Sequence, residues 1–213
     1  MSRGLGDVYK RQLMSVVSEI GRLNEQEVLD SNKIGDREGL KYVTDGAEGP
    51  EVHTPERFKK LYDAVKSSGY VGATMPTQYG GGGAPFTTAI LAGEIGIAAN
   101  MAFYMGPGLS HGAMKTILKK ATEELKDKYL PNMTSGEWMG TMCLTEPQCG
   151  TDLGLIKSTA VPKDDHYELT GQKIWISFGE HDLTENIIHL VLARTPDAPE
   201  GIKGISLFLV PKR

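Results

Sequence analysis

The sequence is poor in cysteine, since only Cys143 and Cys149 occur among its 213 residues. The two lie six positions apart, which matches neither the ligand spacing of a zinc site nor a thioredoxin-like redox motif. Free thiols in a reducing compartment are therefore the expected state of both. This pattern favours a cytoplasmic protein.

Positive charge and long hydrophobic runs are also scarce. Lys and Arg number 23 against 27 Asp and Glu, for a formal net charge of −4, and basic residues form no run longer than pairs such as Lys59-Lys60. Nucleic acid is therefore not expected as a partner. No stretch approaches the roughly 18 apolar residues of a membrane-spanning helix, and the N-terminal "LMSVV" is too short for a signal peptide. We expect no membrane span.

Helical signals dominate the chain before residue 138. Apolar residues recur at helical spacing between positions 54 and 69, and Thr122 has the context of a helix N-cap. Residues 86–100 are almost wholly apolar, as in a buried helix, whereas four consecutive glycines at 80–83 indicate a loop. The first twelve residues show no hydrophobic period and look like translated adapter sequence.

From residue 138 onward the pattern changes to about five short apolar runs with turn-rich connections. We therefore predict an α+β fold: an all-helical domain over residues 31–137 is followed by an antiparallel, β-barrel-like domain over residues 138–213. The second domain stops directly after a strand and is expected to be incomplete. Residues 1–30 are predicted to be an irregular or artefactual extension.

The stretch "GTMCLTEPQCGTDLG", residues 140–154, concentrates residues with special backbone properties. A strand would deliver Thr145 to its end, Pro147 removes one backbone donor, and Gly150 permits a turn that brings Thr151 and Asp152 back. Such a corner suits an acceptor-rich ligand, such as a ring carbonyl or a phosphate. The alternative is an ordinary strand–loop corner whose polar side chains satisfy only the local backbone.

A second stretch, "GQKIWISFGE" at residues 171–180, predicts a strand with Trp175 and Ser177 on the same face. That face could press against a planar ring. The alternative is that Trp175 fills the hydrophobic core.

Together these stretches, with "YGGGG" upstream and "GISLFLVPK" downstream, resemble the acyl-CoA dehydrogenase family over residues 55–213. Within it, "ANMAFYMGPGLSHGA", "TEPQCGTDLG" and "GEHD" resemble most the 3-methylmercaptopropionyl-CoA dehydrogenase branch. The resemblance implies FAD as cofactor, an acyl-CoA as substrate, electron-transfer flavoprotein as electron acceptor and a homo-oligomer for the full-length protein.

The resemblance also implies site residues. The positions that match the family's flavin contacts are Met142, Cys143, Leu144 and Thr145 on one strand, Trp175, Ile176 and Ser177 on another, and Thr151 near the pyrophosphate or the CoA. The Thr145 hydroxyl would face flavin N5. Tyr104 and Met105 match the floor of the acyl pocket, although an aromatic residue and a methionine at that spacing could equally belong to the core.

The reaction that the resemblance implies is α,β-dehydrogenation, in which a carboxylate removes the α-proton and the β-hydride passes to flavin N5. The family's catalytic glutamate lies in a C-terminal four-helix bundle, so the base is expected beyond residue 213 and no catalytic residue is assigned here. In the family the position of Glu146 is structural. His111 and His181 lack a second ligand at metal spacing, so no metal site is expected.

Other functions remain open at this stage. A non-catalytic module that binds flavin or CoA would keep the same corner. Acyl-CoA oxidases and flavin monooxygenases share the family's fold and differ in how oxygen reaches the reduced ring.

Overall fold

A computed structural model describes residues 3–46 and 49–213, and its N-terminal part is mainly helical. In chain order its elements are α1 (Arg3–Leu23), a π-helical turn (Asn24–Val28), α2 (Leu29–Glu38), β1 (Lys41–Gly46), β2 (Gly49–His53), α3 (Glu56–Ser67), α4 (Phe86–Lys120) and α5 (Glu123–Ser135). The C-terminal part contains β3 (Trp138–Cys143), β4 (Thr159–Pro162), β5 (Tyr167–Thr170), β6 (Asn186–Ala193) and β7 (Ser206–Pro211). The predicted α+β class is confirmed.

Helix α4 lies at the centre of the core. Its buried Phe103 and Met114 belong to one hydrophobic cluster with Tyr62 of α3, Met133 of α5 and Met139 of β3. The apolar stripe predicted on α3 is buried as expected. The helical region and the strand region therefore share one core, which fixes the start of the β-region against α4.

Two predictions about the N-terminal region are wrong. Residues 3–30 are helical and not irregular, because α1 packs on α4 and its Leu23 contacts the core; residues 1 and 2 lie outside the described residues. The 31–137 region is not all-helical, because β1 and β2 pair as an antiparallel hairpin with Tyr42 opposite Val52. Both elements are stabilised by contacts that their local sequence does not reveal.

The β-region differs from the predicted antiparallel arrangement. β6 is central in a three-stranded sheet of order β3-β6-β7; it pairs in parallel with β3 and antiparallel with β7. β4 and β5 form a separate antiparallel hairpin. A parallel pair requires a long crossover connection, and the segment between β3 and β6 provides it. That segment includes the second candidate stretch and the part of the first that follows Cys143.

A break inside α4 is organised by Asn100, whose backbone is non-helical (φ −158°, ψ 92°). Its side-chain oxygen accepts a hydrogen bond from the Phe103 N–H at 3.0 Å, as an N-cap does. Its amide donates to Ser31 Oγ at 2.8 Å. Asn100 therefore starts the second half of α4 and ties it to α2.

Among the described residues, α4 is the one helix long and apolar enough to cross a membrane, with a mean hydropathy of 1.4 over its best 18-residue window. The sequence analysis did not anticipate this. A core helix also passes such a test, and α4 contacts α1, α2, α5 and β3. One side of it is nonetheless exposed, through large apolar side chains at Phe86, Ile90, Ile97, Met101 and Met105.

We expect this exposed side of α4 to make the 213-residue chain self-associate, because an apolar stripe facing water favours contact with another such surface. Ile97→Lys should raise the monomer fraction measured by sedimentation velocity across a concentration series. Val161→Lys, on an exposed apolar residue of the β4–β5 hairpin, is the matched control and should leave it unchanged. A wild-type chain that stays monomeric at every concentration would contradict the expectation.

Candidate functional site

The corner after β3 is a tight turn held by two backbone hydrogen bonds. Glu146 N–H donates to the Cys149 carbonyl at 2.8 Å, and Cys149 N–H donates to the Glu146 carbonyl at 3.1 Å. Pro147 and Gln148 occupy the tip of the turn and are exposed. The corner is thus a small hairpin whose base places the Glu146 side chain inside the protein.

Glu146 is 3% exposed and is surrounded by donors. Its carboxylate accepts hydrogen bonds from the Lys157 N–H at 2.8 Å, the Ser158 N–H at 3.1 Å and the Gln148 amide at 2.6 Å. Lys173 Nζ lies 2.8 Å from Oε1. Burial raises the pKa of this carboxyl, but Lys173 and the other donors outweigh burial and lower the pKa to about 2.

Lys173 also joins the two stretches that were predicted to form one site. Its ammonium donates to the Leu144 carbonyl at 3.1 Å, and the next residue, Ile174, donates its N–H to the Thr145 carbonyl at 3.0 Å. The end of β3 and the start of the second stretch therefore lie side by side. The structure brings Thr145 and the segment leading to Trp175 together, as the sequence analysis predicted.

The segment containing Trp175 is not a strand, so the prediction that Trp175 and Ser177 share a strand face is wrong. β5 ends at Thr170. Trp175 and Phe178 have φ values of 58° and 54°, a left-handed conformation that non-glycine residues rarely adopt. A turn follows, in which Gly179 N–H donates to the Ile176 carbonyl at 2.9 Å. Such strain is typical of sites where function fixes the backbone.

Trp175 is 87% exposed, which also rules out its alternative interpretation as core filler. Ser177 is exposed as well, while Ile176 and Thr145 are partly buried. A tryptophan this exposed leaves a large apolar surface in water. This segment therefore presents a flat apolar group and a hydroxyl next to the β3 corner.

The predicted contacts on β3 itself differ in accessibility. Cys143 is buried and lies on the same face of β3 as Thr141, whose hydroxyl is 2.7 Å from Nδ1 of His189 on β6. Burial raises the pKa of the Cys143 thiol, so it stays protonated at neutral pH. Met142 and Leu144 are partly buried. Cys143 can offer a ligand its backbone but not its sulfur.

Thr151 is exposed on the loop that follows the corner. Arg194, the residue directly after β6, holds the segment that follows Thr151 in place: its guanidinium donates to the Ile156 carbonyl at 2.9 Å and to the Gly154 carbonyl at 2.9 Å. It also donates to the Pro199 carbonyl and the Gly201 carbonyl. The sequence analysis missed Arg194, because neighbouring residues in the sequence do not show whether an arginine donates to backbone carbonyls or lies free on the surface.

The two residues predicted for an acyl pocket, Tyr104 and Met105, line different cavities. Tyr104 borders a cavity of about 810 Å³ between α1, residues 68–74 and α4. Met105 borders a cavity of about 430 Å³ that also includes Ser177. The larger cavity is lined by none of the corner residues, so size alone does not mark the site. Consecutive helix residues point about 100° apart, which explains the separation.

The comparisons with known proteins match both halves of the chain. Residues 41–137 match the model of the acyl-CoA dehydrogenase N-terminal domain, and residues 141–213 match the acyl-CoA dehydrogenase middle domain. The chain belongs to the acyl-CoA dehydrogenase family. The family predicted from the motifs is thereby confirmed, and the boundary between the two matched regions falls at β3.

One relative of the chain agrees with this family. The chain is 44% identical to 3-methylmercaptopropionyl-CoA dehydrogenase of Ruegeria pomeroyi over 199 residues, covering 93% of this chain and 33% of that protein. The chain thus spans about a third of the length of this curated relative. The predicted branch of the family is therefore also the branch of a close relative.

Solved structures of related proteins share the fold. An acyl-CoA dehydrogenase from Bacillus anthracis complexed with FAD superposes with a TM-score of 0.72 at 25% identity, covering 94% of this chain and 31% of that one. A chain in the electron transferring flavoprotein structure of Acidaminococcus fermentans superposes with a TM-score of 0.76 at 27% identity, covering 94% and 47%.

Proposed function

We propose that this chain provides the flavin-facing part of an FAD-dependent acyl-CoA dehydrogenase, which oxidises an acyl-CoA thioester between its α- and β-carbons. The observation that carries the proposal is the joining of Thr145 to Ile174 beside the exposed Trp175. The family of the chain supports the reaction class, and the FAD complex of the related Bacillus anthracis enzyme supports the cofactor.

The residues present fit a flavin. A flat apolar surface at Trp175 and hydroxyls at Thr145 and Ser177 match a planar ring that carries nitrogen and carbonyl acceptors. The Trp175 indole would bury a large apolar area on binding the ring, because it is almost fully exposed. Its backbone is held in a left-handed conformation, as is typical of residues at binding sites. In the proposed complex, Trp175 packs on the ring, and the backbone from Met142 to Thr145 lines its edge together with Ile176. Thr151 contacts the pyrophosphate or the CoA.

FAD, when bound, supplies the acceptor for the hydride that leaves the β-carbon. The chain's own residues orient the reactants and do not remove the α-proton. Glu146 is unsuited to that role, because four donors hold its carboxylate and its pKa of about 2 makes it a very weak base at neutral pH. We propose that the base lies beyond residue 213, as the family resemblance implies.

The remaining parts of the proposal concern partners and location. Electron-transfer flavoprotein is proposed as electron acceptor, since a chain in such a structure shares this fold. A homo-oligomer of the full-length protein and a cytoplasmic location complete the proposal. The exposed side of α4 is consistent with further chain or a second copy covering it.

We expect Trp175→Ala to weaken FAD binding by about tenfold or more, because the variant loses ring stacking and apolar burial. Trp175 is 87% exposed, so the midpoint of urea unfolding should stay unchanged. Trp138→Phe is the matched control; it removes the only other tryptophan, leaves the proposed site intact and makes Trp175 the sole fluorescent reporter. FAD titrations followed by the change in flavin fluorescence measure the affinity of both variants and of wild type, and tryptophan quenching in Trp138→Phe shows in addition whether FAD binds next to Trp175.

The activity itself is tested with the protein encoded by the entire reading frame. Anaerobic addition of acyl-CoA thioesters should bleach the flavin absorbance, and the frame should continue past Arg213 into helices that carry a carboxylate. Bound flavin that no acyl-CoA bleaches would favour a non-catalytic module instead. Fast reaction of the reduced flavin with oxygen would favour an oxidase or a monooxygenase.

A further inference from the structure

One side chain, that of Arg194, joins two loops that are far apart in the sequence. The first is the corner loop, residues 150–156, and the second is the β7 loop, residues 199–204, which precedes β7. The guanidinium makes four hydrogen bonds, two to each loop, and all of its acceptors are backbone carbonyls. These acceptors are the carbonyls of Gly154, Ile156, Pro199 and Gly201, at 2.7–3.1 Å. The guanidinium thus fixes how the two loops lie against each other.

The two loops also touch each other where Arg194 binds them. A Cβ atom on Gly154 would lie 3.8 Å from the Gly201 Cα, and a Cβ atom on Gly204 would overlap a backbone carbonyl of its own loop. The backbone of Arg194 is held as well, because its N–H donates to the Ser158 carbonyl at 2.9 Å. A change in the Arg194 side chain should therefore move both loops.

The corner loop presents backbone donors to solvent. The N–H groups of Gly150, Thr151 and Asp152 donate to no acceptor in the part of the chain that the structure describes, and all three residues are exposed. Asp152 directs its Oδ1 to the Gly154 N–H at 3.1 Å, which closes the loop on itself. Successive backbone N–H groups beside a hydroxyl suit an anion that carries several acceptor oxygens.

The charge of Arg194 favours the same kind of ligand. Its acceptors are uncharged carbonyls, and no carboxylate pairs with it among the described residues. An arginine stays protonated in proteins, so a positive charge remains beside the corner loop. Exposed apolar side chains flank the junction of the loops, with Leu155 on one and Ile202 on the other. This surface therefore matches an anionic group attached to a partly apolar body.

We propose that Arg194 is a positioning residue for a nucleotide diphosphate. By joining the two loops, it holds Thr151 and the neighbouring N–H groups where they donate to the phosphate oxygens. This inference rests on the proposed function, in which Thr151 contacts the diphosphate of FAD or of CoA; both ligands carry the same group. Arg194 acts through the loops and not by contact, so its loss should weaken binding of the diphosphate and not of the flavin ring or the acyl chain.

The first test is Arg194→Lys in the full-length protein. Lysine keeps the charge but concentrates its donors on one nitrogen, so it cannot hold both loops as the planar guanidinium does. The apo form is titrated with FAD and with riboflavin, which lacks the diphosphate. If the diphosphate is that of FAD, the preference for FAD over riboflavin should fall about 5- to 20-fold, the effect of weakened charge-assisted hydrogen bonds.

A second arm of this test examines CoA. The holoenzyme is assayed with butanoyl-CoA and with the butanoyl thioester of pantetheine, which also lacks the diphosphate. If the diphosphate is that of CoA, the ratio of the two kcat/KM values should fall by the same factor through KM, with kcat unchanged. The ratio that falls identifies which ligand the loops bind.

The control is Arg57→Lys, since Arg57 of α3 also donates to a backbone carbonyl, that of Glu27 at 2.9 Å. It should leave both ratios unchanged. Unchanged ratios in Arg194→Lys, including equal weakening of FAD and riboflavin, would overturn the inference, because an arginine that only stabilises the fold does not distinguish ligands by their diphosphate. A fallen FAD ratio in a protein that oxidises no thioester would overturn the proposed function and leave the inference standing.

The second test needs no variant and no turnover. Addition of ADP to the apo form of the full-length wild-type protein should slow hydrogen exchange in the corner loop and the β7 loop together, because Arg194 couples them. Adenosine, which lacks the diphosphate, should slow neither, and the β4–β5 turn at residues 163–166 should not respond to ADP. Protection confined to one loop, or equal protection by adenosine, would contradict the inference.

Discussion

Glu146→Gln should lower the free energy of unfolding by about 3–5 kcal/mol, the cost of removing one partner from a buried ion pair. The glutamine would leave the Lys173 ammonium, 12% exposed, without its counter-charge. It would also give up acceptor capacity that the Lys157 and Ser158 N–H groups use. Urea unfolding of the variant and of wild type measures the difference.

The control for this experiment is an ion pair of the same chemistry on the surface. Glu168 pairs with Lys163 at 3.1 Å, with side chains 63% and 48% exposed, so Glu168→Gln should cost less than about 1 kcal/mol. Adding Lys173→Met to Glu146→Gln should recover part of the loss, because the double variant no longer buries an unpaired charge. Equal costs for Glu146→Gln and Glu168→Gln would contradict a structural role for the buried pair.

The lowered pKa of Glu146 predicts that the stability of the protein depends on pH. The pKa of this carboxyl falls from an ordinary value of 4.5 to about 2 on folding, since Lys173 and three further donors outweigh burial. A depressed pKa contributes stability that is complete above the unfolded value and disappears as the pH falls towards the folded value. The stability difference between wild type and Glu146→Gln should therefore be constant from about pH 6 to 8 and shrink below about pH 4.5.

The second large effect is expected at Asp182, which ties the β-region to the hairpin and α3. Its carboxylate accepts from the Thr54 N–H at 2.9 Å and the Thr54 hydroxyl at 2.7 Å, and it lies 2.8 Å from Lys59 Nζ and 3.1 Å from His53 Nδ1. Burial raises the pKa of Asp182, but these donors outweigh it and hold the pKa well below its usual range. Asp182→Ala should cost about 2–3 kcal/mol.

Hydrogen exchange distinguishes this cross-connection from a general loss of stability. In Asp182→Ala, exchange should accelerate first in β2, in its partner β1 and in the first turn of α3, since Asp182 holds His53, Thr54 and Lys59 from the β-region. The control is Asp165→Ala, whose pair with His166 is exposed on both sides; it should change neither stability nor exchange. Uniform acceleration across α4 and β6 would argue against a local tie.

The local parts of the fold could be predicted because their causes lie within a few residues. The stripe of α3 follows from apolar spacing, and the start of α5 follows from Thr122, whose hydroxyl accepts from the Leu125 N–H. The hairpin and the helix before residue 30 were missed, because contacts with α4 and cross-strand pairing stabilise them. The parallel pairing of β3 with β6 was missed for the same reason.

The features of the candidate site could likewise be predicted from the sequence only in part. The sequence alone determined the family, through motifs whose residue types and order are legible along the chain, and it marked Thr145, Trp175 and Ser177. Only the tertiary structure decided that Trp175 is exposed in a left-handed conformation and that Tyr104 and Met105 border different cavities. Burial and hydrogen bonding depend on partners distant in sequence, such as Lys173 for Glu146 and Thr54 for Asp182. Such partners meet only when the chain folds.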